Sequence, residues 1–215
     1  APIVWRILTM NHPRVIRSLF SLRRWCAVGL LAVAGAGAAE PPPLRAAFKS
    51  DFLIGVAVRP NQVNGQTEPA AALILREFNS ITPENVMKMG PLHPRPGNGA
   101  DSYDFAGADA VVDFAAKHGL KMIGHTLCWH SQMPRWMGEP EPGQAQLTKE
   151  VLKARLRDHI MTVAGRYKGR IHGWDVVNEA LSDGGDDLLR KSPWRDIIGD
   201  DFIDLRTRGP GADYD

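Results

Sequence analysis

Three stretches of this sequence hold the side chains able to move a proton or grip a polar ligand. Trp174-Asp175-Val176-Val177-Asn178-Glu179 reads as a buried strand ending in a polar pair, with a Gly- and Asp-rich loop over 182–187 directly after it. A carboxylate placed there can act as a general acid and base, or can simply be a solvated strand end. In parallel α/β sheets and barrels the C-terminal edge of the strands is where the loops open and ligands bind, so the position itself points to chemistry. Period-two alternation puts Asp175, Val177 and Glu179 on one face, which in a barrel can be the interior.

The second stretch is Phe78-Asn79-Ser80-Ile81-Thr82-Pro83-Glu84-Asn85-Val86-Met87-Lys88. Thr82 suits a helix N-cap and Pro83 the first helical position, so a short helix is expected to start here after a brief strand. Glu84 and Lys88, four apart, and Asn85, three from Lys88, would then share a face. Such a set is either a solvated pair worth about 0.2–0.5 kcal/mol or the hydrogen-bonding group that a polyhydroxylated ligand needs. In the third stretch, Lys121, Ile123 and His125 alternate onto one face of a strand that runs into Cys128-Trp129-His130-Ser131-Gln132-Met133-Pro134-Arg135-Trp136. Trp129, flanked by His125, His130 and Gln132, suits a sugar-stacking platform, whereas Trp136 reads as packing. His125 and His130 stand five apart in a segment that is not helical, which is no zinc-binding pattern, so no metal is expected.

The elements that must position these clusters alternate regularly. A first strand is expected over 52–58, a helix over 69–78, a loop over 91–101, and an amphipathic helix marked by Phe105, Ala108, Val111, Val112 and Ala115 and ended by Gly119. The third strand covers 120–127. Thr148 can cap a long helix with Leu152, Leu156 and Ile160 buried and Lys153, Arg155 and Arg157 outward; the fourth strand follows, then a helix over 194–205. Strand and helix alternating four times argue for a parallel sheet with helices packed outside it.

Composition narrows the function. At 215 residues and 44% hydrophobic content the chain can bury a sizeable core. From Met10 a basic stretch (Arg14, Arg17, Arg23, Arg24) leads into an apolar run over 25–34 and small residues Ala36-Gly37-Ala38, the layout of a secretory signal peptide and too short a run to span a bilayer. A leader over 1–38 implies a secreted or periplasmic protein. Those residues carry five Arg and no acid, so without them Lys+Arg falls from 26 to 21 against 24 acids and the formal charge turns from +2 to −3. Nucleic acid and membrane partners thereby lose their electrostatic support. Cys26 leaves with the leader, and Cys128 in an apolar run reads as a small buried side chain. Residues 39–48, with Glu40-Pro41-Pro42-Pro43, read as an extended linker.

Taken together and in order, the three clusters resemble glycoside hydrolase family 10, the xylanases built on a (β/α)8 barrel. The similarity runs from about Phe52 to Leu205, through the stretches 78–88, 124–132 and 174–180. The fold this implies is α/β, an incomplete (β/α)8 barrel made of its first four βα units over 49–205. The resemblance makes Glu179 the general acid/base and Asn178 a hydrogen-bond partner of the 2-hydroxyl of the sugar being cleaved. It places Glu84, Asn85 and Lys88 along the glycone side, and His125, Trp129 and Gln132 around the sugar nearest the scissile bond. It further implies retaining hydrolysis of β-1,4-xylosidic bonds in xylan or xylo-oligosaccharides, no cofactor and no specific protein partner. Retention needs two carboxyl groups about 5–5.5 Å apart. The family's nucleophilic Glu lies on the seventh strand, so it is expected outside these 215 residues. Residues 206–215 are polar and breaker-rich and depart from the family pattern as an aberrant tail. Two alternatives stand beside the xylanase: a sugar-binding fragment without turnover, and a related retaining β-glycanase such as a cellulase. The clusters around Glu84 and His125 favour xylan.

Overall fold

The computed structural model describes residues 40–200 and 202–203; the expected leader and aberrant tail lie outside them. Four parallel strands, β1 (Gly55–Val58), β2 (Ser80–Pro83), β3 (Lys121–Cys128) and β4 (Gly173–Val177), stand side by side in chain order. Each strand therefore pairs with the one before it. That is the winding of a barrel wall; a doubly wound sheet would reverse direction part-way. Between and around them lie α1 (Leu44–Ala47), α2 (Pro60–Val63), α3 (Glu68–Glu77), α4 (Met89–Leu92), α5 (Ala106–His118), α6 (Arg135–Gly138) and α7 (Lys149–Arg166).

One face of the sheet carries the core. Val56, Val58, Ile81 and Met122 pack with Ala108, Val111, Val112 and Ala115 of α5 and Val163 of α7. The helix caps are those the sequence implies: Gly119 ends α5 at φ 66° and donates to the carbonyls of Ala115 and Ala116, while the Thr148 hydroxyl accepts from the Val151 N–H at 3.3 Å. On the other face Ala57, Lys121 and Asp175 are exposed and Ile123 and His125 half-buried, as period-two alternation requires. A second cluster, with Met89, Cys128, Met137, Leu152, Leu156 and Trp194, fills the space beneath the loops that follow the strands.

Four expectations are corrected. Thr82 and Pro83 do not open a helix: they finish β2, with Pro83 opposite Val58, and residues 84–88 are a run of bends and turns. A residue before proline is extended in a strand and at an N-cap alike, so Thr82-Pro83 suited both; the pairing with β1 decides it. Leu44–Ala47, within the expected linker, is a helical turn tied to α3, its Leu44 N–H donating to Glu77 Oε2 at 2.8 Å and Arg45 Nη1 to the Leu75 carbonyl at 2.9 Å. Arg155 is not outward. It donates to the carbonyls of Trp136 and Glu139 at 2.6 and 2.7 Å, so a long basic side chain satisfies the open carbonyls of the one-turn helix α6 and its C-cap. The last helix is a single π-helical turn, Trp194–Ile198, stopped by Gly199 at φ 105°.

His93, at the end of α4, and His159 of α7 form a buried histidine pair. His93 Nε2 faces the Gly97 carbonyl at 2.8 Å and so carries the proton; His93 Nδ1 then accepts, and the proton of the 3.2 Å contact belongs to His159 Nδ1. His159 Nε2 is left a buried acceptor without a partner. Burial pushes His159 down to about 3 and lowers His93 as well, so both are neutral in the fold. The unfolded chain takes up protons below about pH 6.5, so the stability this pair supplies is complete above that value and is lost as pH falls toward 3. The expected slope is about 1.4 kcal/mol per pH unit for each proton taken up on unfolding. Urea unfolding from pH 7 to 3.5 should show a shallower decline in His159→Gln than in the wild type, and equal declines would disprove the assignment.

Candidate active site

The C-terminal ends of β2, β3 and β4 bring the three clusters together. Beyond β4, Glu179 adopts φ 52°, which turns its side chain out of the strand's alternation and leaves it half-exposed. Its Oε2 accepts from Trp129 Nε1 at 2.9 Å and lies 3.8 Å from His130 Nε2. Asn178 is half-buried and tied to the end of β3, its N–H donating to the Cys128 carbonyl at 2.9 Å. Trp129 is fixed from below, because its carbonyl accepts from Trp194 Nε1 at 3.0 Å and Trp194 is buried.

A polar chain runs from this point to β1. Lys88, nearly buried, places Nζ 4.8 Å from the centre of the Trp129 ring and donates to Asn85 Oδ1 at 3.0 Å. Asn85 Nδ2 donates to Glu84 Oε1 at 3.2 Å, and Glu84 takes the fork of Arg59 on both oxygens at 2.6 and 2.9 Å. The Arg59 guanidinium holds the Glu84 carboxyl below its ordinary range. Lys88 therefore pairs with Asn85, and the partner of Glu84 is Arg59, not Lys88. The i,i+4 contact expected of a helix does not form because the segment is not helical.

His125 sits lower on the open face of the sheet, with Nδ1 2.9 Å from Asp175 Oδ2. His125 and His130 thus serve different carboxylates, Asp175 and Glu179. Gln132 is exposed and adopts φ 47°; its carbonyl accepts from the Gly90 N–H at 2.7 Å, and a Cβ on Gly90 would stand 2.6 Å from that oxygen, so only glycine allows the approach. Among the described residues, Gln132 and Glu179 are the two non-glycine positions with left-handed φ, and both belong to the set singled out from sequence.

Three neighbours escaped the sequence reading of the site. Arg59 follows β1 and is 25 residues from its partner. His130 stood inside a recognised cluster without a role. Arg190 donates Nε to the Glu179 carbonyl at 3.1 Å and Nη2 to Asp183 at 2.7 Å, holding the loop after β4 against the glutamate's backbone. Only His130 carried a signal, its place beside Trp129.

Residues 43–208 match the sequence model of Glycosyl hydrolase family 10. The chain belongs to that family. A beta-1,4-xylanase of Dictyoglomus thermophilum is 44% identical over 165 residues, which cover 77% of this chain and 43% of that protein. Among solved structures, a family 10 endoxylanase retrieved from a sugarcane soil metagenome superposes with TM-score 0.70 at 46% identity, over 77% of this chain and 48% of its own. A mutant protein in complex with xylotriose superposes equally, TM-score 0.70 at 40% identity, again over 77% of this chain and 48% of the other. The chain thus spans about half the length of the family 10 proteins it matches, and its four parallel strands correspond to part of their barrels.

Proposed function

We propose that this chain forms part of the cleft of a retaining endo-1,4-β-xylanase and supplies its acid/base, Glu179. The observation that carries the reading is the contact of Glu179 Oε2 with Trp129 Nε1, at the end of a rim that continues through Lys88, Asn85 and Glu84. Xylose rings offer C–H faces to the indole and hydroxyls to the amide, ammonium and carboxylate groups. Asn178 receives the 2-hydroxyl, and His125 and Gln132 border the same sugar. In the first step a carboxylate from a strand beyond those described attacks the anomeric carbon while protonated Glu179 gives its proton to the leaving glycosidic oxygen. In the second, the same group takes a proton from water as that water attacks the glycosyl ester. The basic, apolar and small-residue order of residues 10–38 supports export of the protein.

Xylotriose binding tests the reading directly. Lys88→Ala and Trp129→Ala are each expected to weaken affinity by about tenfold or more in titration calorimetry, since each removes a charge-assisted bond or a stacking face worth about 1.5–3 kcal/mol. Met161→Ala, on the exposed side of α7, should change nothing. Unaltered affinity in both rim variants would overturn the proposal.

A further inference from the structure

We infer that a second groove, on the loops after β2 and β3, binds a neutral, hydroxyl-rich sugar chain; its identity as xylan rests on the function proposed above. The groove has a volume of about 850 Å³ and shares no lining residue with the pocket around Glu179. Its apolar lining is four proline rings, Pro94, Pro96, Pro140 and Pro142, and the Trp136 indole. That indole is immobilised: Nε1 donates to the His93 carbonyl at 3.3 Å, the ring packs against His93 at 4.7 Å, and the Arg155 guanidinium lies 5.8 Å from it. A rigid platform of this kind loses little entropy when a ring stacks on it.

The polar lining favours sugar over other ligands. Both of its cations have carboxylate partners: Arg135 donates from Nε alone to Glu139 at 2.9 Å and keeps the rest of its fork exposed, and Arg155 is held by two carbonyls and, at 3.5 Å, by Glu141. Asn98 Nδ2 donates to Asp158 at 2.9 Å. Also open is acceptor capacity on Glu139, Glu141 and Asp158, because a carboxylate has about four lone-pair sites and these are only partly used. Two arginines against three carboxylates leave the groove with a formal charge of −1, which disfavours a phosphate or a polyanion, and hydroxyls, which both donate and accept, can use the carboxylate oxygens and the exposed Arg135 fork together. A sugar chain presents several O–H donors per ring without bringing charge. All of this groove lies within the described residues, so it does not depend on the strand that brings the nucleophile.

Affinity electrophoresis of the full chain through soluble xylan, with xylotriose calorimetry alongside, tests the inference. Glu139→Ala/Glu141→Ala should reduce retardation by xylan at least fivefold while leaving xylotriose affinity at the cleft within twofold. Trp136→Ala should do the same, its folding checked by circular dichroism. Lys88→Ala/Trp129→Ala should lose xylotriose binding yet keep part of the retardation by xylan. If the Glu139/Glu141 variant is retarded like the wild type, or if the cleft double variant is not retarded at all, the groove is no sugar site. Loss of retardation in the groove variants with unchanged xylotriose affinity in the cleft variants would uphold the groove and remove the cleft reading.

Discussion

Glu179→Gln is expected to slow xylan hydrolysis by about two to four orders of magnitude and to leave xylotriose affinity within about twofold. The amide keeps the shape and can still accept from Trp129 Nε1, so binding is retained. It has no proton to give to a departing alkoxide and no charge with which to take one from water. The measurement is made on the chain joined to the C-terminal half-barrel of a family 10 relative, which brings the second carboxylate that retention requires. An aryl β-xyloside with an acidic phenol separates the two steps. Its leaving group needs no protonation, so formation of the glycosyl ester should persist in the variant as a burst, and azide should speed the second step by attacking without base assistance. A variant that hydrolyses xylan at the wild-type rate would remove Glu179 from the mechanism.

The other large effect is expected at a residue with no side chain. A Cβ on Gly124 would meet the Trp174 ring carbons at 2.2, 2.3 and 2.6 Å, on the face where β3 and β4 pair at those two positions. The ring packs against the core and cannot swing aside without moving β4. Overpacking of this kind costs about 1–3 kcal/mol, and a clash with three ring atoms belongs at or above the top of that range. Gly124→Ala is therefore expected to lose at least about 3 kcal/mol in guanidinium unfolding and to weaken xylotriose binding, because β3 leads to Trp129 and β4 to Glu179. Gly99→Ala, where nothing lies within 4 Å, should stay within about 0.5 kcal/mol of wild type. Adding Trp174→Leu to Gly124→Ala should restore part of the loss. A Gly124→Ala protein as stable as the Gly99→Ala one would show that the indole has room.

What could be foreseen from the sequence was whatever short-range rules decide. Alternation assigned Lys121, Ile123 and His125 to one face of β3, and Thr148 and Gly119 marked helix ends, because those signals are read within a few residues. Thr82-Pro83 failed because local preference was the same for strand and helix start, and only the neighbouring strand resolves it. Arg155 failed for a similar reason: its helix position looks solvated until residues 136–139, 16 to 19 places earlier, bring their carbonyls to it. The site divides along the same line. Glu84, Asn85, Lys88, Trp129 and Glu179 were found through their motifs and do form one connected rim. Arg59 and Arg190 stand in no motif, and their roles arise from contacts made across 25 and 11 positions.

The left-handed backbone at Gln132 and Glu179 has a further meaning. An L-residue there gives up about 1 kcal/mol relative to glycine, so a lineage selected for durability alone would drift toward Gly or Asn at both positions. At 132 and 179 the main chain alone would favour a residue without a bulky side chain, so the strain falls on the two side chains to which the proposed cleft assigns sugar contact and proton transfer.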